Sequence, residues 1–568
     1  MISDDFDESY DNFGVQSENL GNAIAKLDGN LNIKKIFADL YKQENLGQGE
    51  RYPDVVKSIN DAMNKGVLIA NYIGHGGPDK LADEEIIDRQ SVSSWNNQFQ
   101  LPLFVTGTCS FSIFDDPTIS SLGRDCIIRP NGGMIGLITT VRAVYISENE
   151  RIINTLFTNL LMKNGQEHLS LGQSLKNTKN QQGGDDSKRF ALLGDPSMVL
   201  NFPKQKIVIE SFNNKVIGQD PIDTLKALQK VSMTGSVRNT GDGIDQNFNG
   251  TATVTVFDKS SYQLTRGNDG NGANIKIKVQ NNSLFHGKAT VSGGKFSVEF
   301  IVPKDINYSI DSGRISVYAE NGTSDAGGFT HKFFVGGESS DPIQDNMPPV
   351  ITLYLNNYNF KSGQTVNNTP LLIAKLSDDN GINISGSSIG HDIVAKFSSN
   401  DQAEKKLNDY YVANKDDYKA GEVTYQLDKL AAGEYTLQLR AWDIANNKSE
   451  AQIDFIVTDN EANAISRVLN YPNPFTDATS FMFEYDSQNQ PIEAQISIYT
   501  VSGKLVKTIR EQLSPVGKRF KTTIWNGRDD YDGQLAKGVY LYKIKLSNAA
   551  GARNTYVKSD FQKLVLLK

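Results

Sequence analysis

Two patterns of hydrophobic and polar residues follow each other along the chain, and the change falls near residue 202. Before it, short aliphatic runs alternate with stretches whose apolar residues recur at helical spacing, which is typical of an α/β layer fold. After it, segments such as 252–256 and 314–319 alternate apolar and polar residues between Gly, Asn and Asp turns. The pattern predicts a multidomain chain, in which one α/β domain precedes all-β, immunoglobulin-like sandwiches.

Within the α/β part, the pattern predicts individual strands and helices. Four segments are predicted to be buried or half-buried strands: Lys34–Leu40, Gly66–Ile73, Leu101–Thr106 and Gly133–Thr140. Three helices are predicted: Pro53–Lys65, a segment from Asp116 and Pro117 to Ile128, and Ser147–Lys163. The second of these is placed by Asp116 and Pro117, because Asp is a good N-cap residue and Pro suits the first helical position.

The chain is too long for a single hydrophobic core. It has 568 residues, and two polar stretches, 336–349 and 458–466, have the composition of linkers. We therefore predict four domains with boundaries near 203, 346 and 464, that is 1–202, 203–345, 346–463 and 464–568.

Charge and cysteine content exclude several classes of protein. The net charge is −8, and Lys and Arg are scattered rather than gathered in a basic stripe, so no nucleic-acid partner is expected. The two cysteines, Cys109 and Cys126, cannot form a disulfide framework or a Cys-rich zinc site, and no cofactor or metal is expected. No apolar run is long enough to span a membrane, and Met1 is followed by Ile2, Ser3, Asp4 and Asp5 rather than by a charged region and the apolar core of a signal peptide.

Candidate catalytic residues lie directly after two neighbouring predicted strands. The first strand leads into Gly74, His75 and Gly76, and the next leads into Thr108 and Cys109. Reactive groups collect at the carboxyl ends of strands in open α/β sheets, and an imidazole beside a thiol can generate the thiolate that nucleophilic catalysis needs. The Gly76 N–H can point at a developing oxyanion.

A structural interpretation competes with this catalytic one. A single Cys after a strand is usually a small buried hydrophobic residue, and a single His is usually structural. Their occurrence together, at consecutive strand ends among glycines, favours catalysis. Cys126 lies on the apolar side of a predicted helix and keeps the structural interpretation, and the four other histidines are assigned no role.

Four sequence blocks resemble the catalytic domain of gingipain-type cysteine peptidases, which has a caspase-like fold. They are NYIGHGG at 71–77, LPLFVTGTCSFS at 101–112, NGGMIGLITTVRAVY at 131–145 and FALLGDPSMVL at 190–200. The resemblance implies that His75 is the general base and acid and that Cys109 is the nucleophile. It also implies that the N–H groups of Gly76 and Cys109 form the oxyanion hole.

The same resemblance implies two further site residues. A third, acidic member of the site falls near the chain start, where Asp5 is the best match and Asp4 the second; the alternative is that 4–11 is a solvated acidic loop. Tyr145 stands where related peptidases place an aromatic residue over the P1 pocket. The acidic residue that makes some gingipains arginine-specific has no counterpart here, so a strong preference for basic P1 residues is not expected.

The C-terminal segments 471–485 and 525–546 resemble the flagellar-hook-cap-type immunoglobulin domain that ends the sortases of type IX secretion in Bacteroidota. This implies a cell-surface enzyme of the outer membrane that removes C-terminal sorting domains from cargo proteins and transfers the cargo to an amine of lipopolysaccharide. The other outer-membrane components of type IX secretion are then its partners. Such relatives carry further N-terminal sequence, so the chain is expected to be a C-terminal part of a longer protein, whose α/β sheet lacks strands.

Two other functions remain open at this stage. The chain could be a secreted gingipain-like protease that is itself type IX cargo, with 464–568 removed after export. It could also be a non-catalytic surface scaffold that carries a decayed peptidase domain.

Overall fold

The structure is a computed structural model with side chains. It describes residues 1–567 except 7–11, 46, 48, 130–131, 165–166, 219–222, 271–273, 388–389, 399–403, 459–464, 486–490, 515–518, 549–555 and 560. The predicted boundary at 464 and most of the acidic cluster after Asp5 therefore lie outside the described residues.

The first part of the chain is built on a six-stranded sheet. Its order is β10-β7-β6-β5-β1-β2, and all neighbours are parallel except β10, which is antiparallel to β7. The strands of this part are β1 Ile2–Ser3, β2 Ile36–Phe37, β3 Glu44–Asn45, β4 Glu50–Arg51, β5 Ile69–Ile73, β6 Leu103–Gly107, β7 Gly136–Thr140, β8 Lys163–Asn164, β9 Glu167–His168 and β10 Phe190–Leu193. The helices are α1 Phe13–Leu27, α2 Pro53–Lys65, α3 Arg89–Ser94, α4 Leu122–Ile128, α5 Ile146–Leu161, α6 Leu171–Gln182 and α7 Gly184–Arg189.

Helices cover both faces of this sheet. One face packs on α2, α3 and α4, with Val55, Ile59, Trp95 and Cys126 buried between them. The other face packs on α1, α5 and α6, whose buried side chains include Leu20. A parallel sheet needs both faces covered, and the three layers confirm the predicted α/β domain.

Several predicted elements differ from the observed ones. Helix α2 has its predicted bounds, because Pro53 suits the first turn and Gly66 leaves the helix at φ 95°. The helix predicted from Asp116 is wrong at its start, since α4 begins at Leu122. Asp116 Oδ1 instead accepts hydrogen bonds from the N–H and hydroxyl of Thr118, which closes a local turn.

The first predicted strand was also too long. Only Ile36–Phe37 pairs in the sheet, and Ala38–Leu40 is a 3₁₀ turn closed by the Tyr41 N–H on the Ala38 carbonyl. The other three predicted strands are present with shorter N-terminal ends. Strand β1 was not predicted, because two residues carry no periodicity. Helix α1 was not predicted either.

The two middle segments are all β. The strands before residue 346 are Gln205–Phe212, Lys215–Val216, Thr224–Ala227, Lys230–Arg238, Gly250–Phe257, Ser261–Leu264, Lys276–Val279, Ser283–Val291, Lys295–Ile301, Asp311–Ser312, Arg314–Glu320, Asp325–Thr330 and Phe334–Glu338. Those after it are Val350–Leu355, Thr365–Val366, Leu371–Ser377, Val394–Phe397, Lys405–Lys406, Tyr411–Lys415, Asp417–Gln426, Gly433–Trp442 and Lys448–Val457. The two segments share a 12-stranded sheet, which is continuous where Gly287 pairs with Ala413.

The last segment has its own all-β core. Its strands are Ser466–Tyr471, Ser480–Glu484, Ile492–Thr500, Leu505–Leu513, Arg519–Lys521, Gly538–Asn548, Tyr556–Lys558 and Gln562–Leu566. Phe481, Trp525 and Tyr542 pack at its centre. The predicted fold class, an α/β domain followed by sandwiches, is confirmed. Across the described residues, none of the helices has the length and apolar character needed to cross a membrane.

Candidate active site

The predicted catalytic pair lies at equivalent positions on adjacent strands. Strands β5 and β6 run parallel with Ile73 opposite Gly107, and the Gly74 N–H donates to the Gly107 carbonyl at 3.2 Å. His75 lies two residues after Ile73, and Cys109 lies two residues after Gly107. Because neighbouring strands lie about 4.8 Å apart, the register brings the two side chains to the same edge of the sheet, and both are half-buried.

Gly76 is fitted closely against the loop that carries Cys109. A Cβ at position 76 would lie 2.5 Å from Oγ1 of Thr108 and 2.8 Å from Cδ2 of Leu81, so only glycine fits. Within the described residues, the backbone N–H groups of Gly76 and Cys109 donate no hydrogen bond. Two backbone N–H donors are therefore available at the strand ends that carry His75 and Cys109, and an oxyanion hole is built from such donors.

A carboxylate that directly follows the first strand holds the His75 loop. Oδ2 of Asp4 accepts a 2.8 Å hydrogen bond from the His75 N–H, and the Tyr72 hydroxyl lies 3.0 Å from the same oxygen and 2.5 Å from the His75 carbonyl. Burial, and then the charge of Asp4, raises the pKa of the Tyr72 hydroxyl, so this group remains a donor. The Phe13 ring packs edge-on against the imidazole, with ring centroids 5.0 Å apart.

The alternative of a solvated loop is wrong for Asp4 and Asp5. These side chains are 1% and 0% exposed, because β1 pairs directly with β5 and carries them to the edge that bears His75. Oδ2 of Asp5 accepts a 2.5 Å hydrogen bond from the Tyr52 hydroxyl. Buried Glu84, which the sequence did not suggest, joins them, and one carboxylate oxygen from each of the three lies within 4.8 Å of the others.

The loop after β7 lies against the thiol. The Val144 N–H and carbonyl are each 3.5 Å from Sγ of Cys109, and the next residue, Tyr145, is 75% exposed. The Tyr145 N–H donates to Oδ2 of Asp186 at 3.0 Å, and Asp186 is also paired with Arg189. The loop is therefore anchored by a buried carboxylate that the sequence analysis missed, since nothing in the pattern distinguishes Asp186 from surface acids.

The backbone is strained immediately after the nucleophile position. Ser110 has φ 47°, a left-handed conformation that a residue other than glycine adopts at a cost, and its N–H donates to the Arg142 carbonyl at 3.3 Å. The turn leaves the Cys109 side chain half-buried at the sheet edge. The Arg142 guanidinium forms a two-pronged ion pair with Asp115 nearby, at 2.8 and 3.0 Å.

The second cysteine lies in different surroundings. Cys126 is 0% exposed inside α4, and burial, followed by the charge of Asp125, raises the pKa of its thiol. It lies on the sheet face covered by α2, α3 and α4, as its predicted structural role requires. The geometry of the Cys109 edge, with a thiol, an imidazole and two N–H donors, suits acyl transfer through a thioester.

Comparison with known families identifies the class of protein. Residues 1–201 match peptidase family C25, and residues 470–558 match the secretion system C-terminal sorting domain. The chain therefore carries a cysteine peptidase domain of family C25 together with a sorting domain of type IX secretion.

Solved structures of known proteins are also similar to the chain. Dimeric latent PorU from Porphyromonas gingivalis is 28% identical, with 77% of this chain and 41% of that chain covered and a TM-score of 0.31. The Arg-specific cysteine proteinase gingipain R (RGPB) is 15% identical, with 59% and 66% covered and a TM-score of 0.30. The complex of P. gingivalis RgpB pro- and mature domains is 15% identical, with 58% and 68% covered and a TM-score of 0.29. None of the curated proteins compared matches the chain.

Proposed function

We propose that the chain is a cysteine transpeptidase, a sortase that cleaves C-terminal sorting domains from type IX cargo and transfers the cargo to an amine on surface lipopolysaccharide. The observation that supports this reaction is the position of His75 and Cys109 on adjacent strands. Each lies two residues after a member of the paired residues Ile73 and Gly107.

The proposed reaction begins with proton transfer from the Cys109 thiol to His75. The thiolate attacks the carbonyl carbon of the scissile peptide, and the N–H groups of Gly76 and Cys109 hold the resulting oxyanion. His75 then returns the proton to the leaving nitrogen, and the sorting domain departs with a new amino terminus. The cargo remains as a thioester on Cys109 until an acceptor amine attacks it, which forms an amide and restores the thiol.

Asp5 is proposed as the acid that positions His75. Its support is the burial of the carboxylate at the edge that carries the histidine, with the Tyr52 hydroxyl bonded to one oxygen. Asp4 is proposed to position the loop through the His75 N–H. Tyr145, exposed beside the residue that contacts the thiol, is proposed to line the substrate pocket.

The proposed substrate and location rest on the sorting domain at residues 470–558. A chain with such a domain is exported by the route that its cargo also takes, so enzyme and substrate meet at the cell surface. The other outer-membrane components of type IX secretion are the proposed partners.

The test uses a cargo protein fused to a sorting domain, incubated with the purified chain and a soluble primary amine. The expected products are the released sorting domain and cargo whose carboxyl terminus carries the amine, identified by mass spectrometry. Cys109→Ala protein is the control and forms neither product. Release with only a free carboxylate on the cargo contradicts transpeptidation but leaves a peptidase, and release that persists in Cys109→Ala contradicts the catalytic assignment.

A second candidate is a secreted protease that is itself cargo, and the sorting-domain match at 470–558 favours it. The two candidates differ in the mature protein. Mass spectrometry of the surface form finds 464–568 retained for the sortase and absent for the cargo protease.

A further inference from the structure

A cleft of about 610 Å³ lies where three parts of the chain meet. The α/β domain contributes Lys34 and Lys65, the first sandwich segment contributes Lys278 and Arg314, and the second contributes Asp409. This volume is within the range of cavities that bind small ligands. The cleft lies apart from the His75 and Cys109 edge, and no step of the proposed reaction uses its residues.

The floor of the cleft holds a buried arginine. Arg314 is 8% exposed, and its guanidinium donates to the Asn32 side chain and to the carbonyls of Gly29 and Leu31 at 2.9 and 3.2 Å. Within the described part of the chain, no carboxylate pairs with it. Burial lowers the pKa of Arg314 to about 10, so it is still charged at neutral pH. A buried charge without a counter-ion is costly, and an anion in the cleft would offset that cost.

The walls add further positive charge. The cleft is lined by five cationic side chains, and among the described lining residues Asp409 is the single carboxylate. Lys35 is already neutralised by Glu18 at 2.6 Å. Lys34 lies 3.9 Å from the Asp409 carboxylate, while Lys65 Nζ donates at 2.6 Å to the backbone carbonyl of Asp409, which is a neutral acceptor.

The positive and buried surroundings of the cleft lower the pKa of one of its histidines, His286. Burial, and then the positive charge of Lys65, lowers the pKa of His286 to about 4, so the imidazole is neutral at physiological pH. Its Nδ1 lies 2.8 Å from the Thr255 hydroxyl. The cleft therefore offers neutral hydrogen-bonding groups beside Arg314, Lys65 and Lys278.

We propose that this cleft binds a phosphate group. The planar fork of an arginine matches the oxygens of a phosphate, and lysines add point charges around it. Arg314, Lys65 and Lys278 form no ion pair with a carboxylate among the described residues. Three such cations suit a dianionic ligand better than a single carboxylate. The group is carried either by inorganic phosphate or by a phosphorylated sugar, and a cleft of this size accommodates both.

The test is isothermal titration calorimetry of the whole chain with inorganic phosphate and with glucose 6-phosphate, at constant ionic strength. Both are expected to bind with Kd values of about 1 mM or tighter, and acetate is expected to bind more weakly. Tighter binding of glucose 6-phosphate indicates a phosphorylated organic ligand, whereas tighter or equal binding of inorganic phosphate indicates the free ion. Absence of binding by both probes contradicts the proposal.

Charge variants on the walls make the test specific. Lys278→Gln is expected to weaken phosphate binding about tenfold, which corresponds to one charge-assisted contact. Asp409→Asn is expected to tighten it, because the one opposing carboxylate is removed. These variants alter exposed side chains, so the test does not depend on whether an Arg314 variant folds. Lys295→Gln, which changes an exposed lysine outside the cleft on strand Lys295–Ile301, is the matched control. Equal weakening by Lys295→Gln and Lys278→Gln would show a net-charge effect and overturn the assignment.

Discussion

Oδ2 of Asp4 accepts a 2.8 Å hydrogen bond from the backbone N–H of His75, so the two-residue strand β1 holds the loop that carries the proposed base. The bond joins residues 71 positions apart in the chain. It depends on the parallel pairing of β1 with β5, which sets Ser3 opposite Ile73.

Removal of the proposed nucleophile should abolish processing without unfolding the protein. Cys109→Ala is expected to lower cargo cleavage by at least about 10³-fold, as for other catalytic nucleophiles. The Sγ atom is half-buried, and its contact with the Val144 carbonyl is long, at 3.5 Å. The free energy of unfolding should therefore fall by less than about 1 kcal/mol. Cleavage assays and urea denaturation measure the two effects.

Cys126→Ala is the matched control, because it deletes the other thiol of the chain. It should keep activity and lose about 1–2 kcal/mol of stability, since the side chain is buried. A thiol-directed probe should label Cys109 and spare Cys126. A chain whose Cys109 resists the probe would favour the non-catalytic scaffold.

His75 and Cys109 should act as one catalytic unit. His75→Ala is expected to lose nearly as much activity as Cys109→Ala, and the double variant should be no slower than either single variant, because residues that act together are not additive in their removal. Single-turnover cleavage rates of the three variants provide the measurement. A double variant much slower than both single ones would show that the two residues act independently.

Substitutions should distinguish the roles of Asp4 and Asp5, the two acids that follow β1. Asp4→Ala is expected to lower kcat at least about tenfold, whereas Asp4→Asn keeps an acceptor oxygen for the His75 N–H and should retain more activity. Asp5→Asn should lower kcat by about 10²-fold with little change in KM, because a positioning acid acts on the transition state. Steady-state kinetics on a cargo peptide separate the two constants. A rise in KM alone for Asp5→Asn would exclude the proposed role.

Cleavage should favour small or uncharged P1 residues. The carboxylate that accepts from the Tyr145 N–H, that of Asp186, is buried and paired with Arg189 at 2.8 Å, so it is unavailable to a basic side chain of the substrate. Peptides that differ only at P1 provide the comparison of kcat/KM. Arg or Lys peptides cleaved as fast as Ala or Gly peptides would contradict this prediction.

Protonation of Asp378 should stabilise the second sandwich segment. Burial, with the nearby charges of Asp345 and Asp443, raises the pKa of Asp378 from 3.8 to about 6. Because the folded-state pKa is above the unfolded value, the free energy of unfolding should rise as the pH falls from above 6 toward 4. Asp378→Asn should remove this dependence and stabilise the protein by about 1 kcal/mol at pH 7.5, after allowance for partial solvent exposure.

The effect of Asp378→Asn is measured by urea denaturation. The buffer contains EDTA, so that divalent cations do not screen the carboxylates of Asp345, Asp378 and Asp443. The exposed neighbour of Asp378 provides the control, and Asp379→Asn should leave stability and its pH dependence unchanged. An Asp378→Asn protein less stable than the parent at pH 7.5 would contradict the assigned sign.

Local signals in the sequence were sufficient to predict a large part of the fold and to nominate His75 and Cys109 as a catalytic pair. Helix α2 was predicted to the residue because a proline and a glycine mark its ends, and these signals act within a single turn. His75 and Cys109 were nominated because each follows an apolar strand and lies among small residues, a pattern that requires no knowledge of distant contacts. The same local signal failed at Asp116, where the carboxylate bonds to Thr118 and closes a turn instead of starting a helix.

Tertiary structure decided what depends on pairing between distant segments. The burial of Asp4 and Asp5 follows from the pairing of β1 with β5, and a two-residue strand leaves no periodic trace in the sequence. The anchoring of Tyr145 by Asp186 and the basic cleft around Arg314 have the same origin. Arg314 donates to carbonyls 283 and 285 positions away in the chain, so its burial among these acceptors arises only when the α/β domain and the sandwiches pack together. The sequence by itself determined which residues can do chemistry, and the packing of remote segments decided which charges are buried beside them, because burial and electrostatic pairing depend on separation in space rather than along the chain.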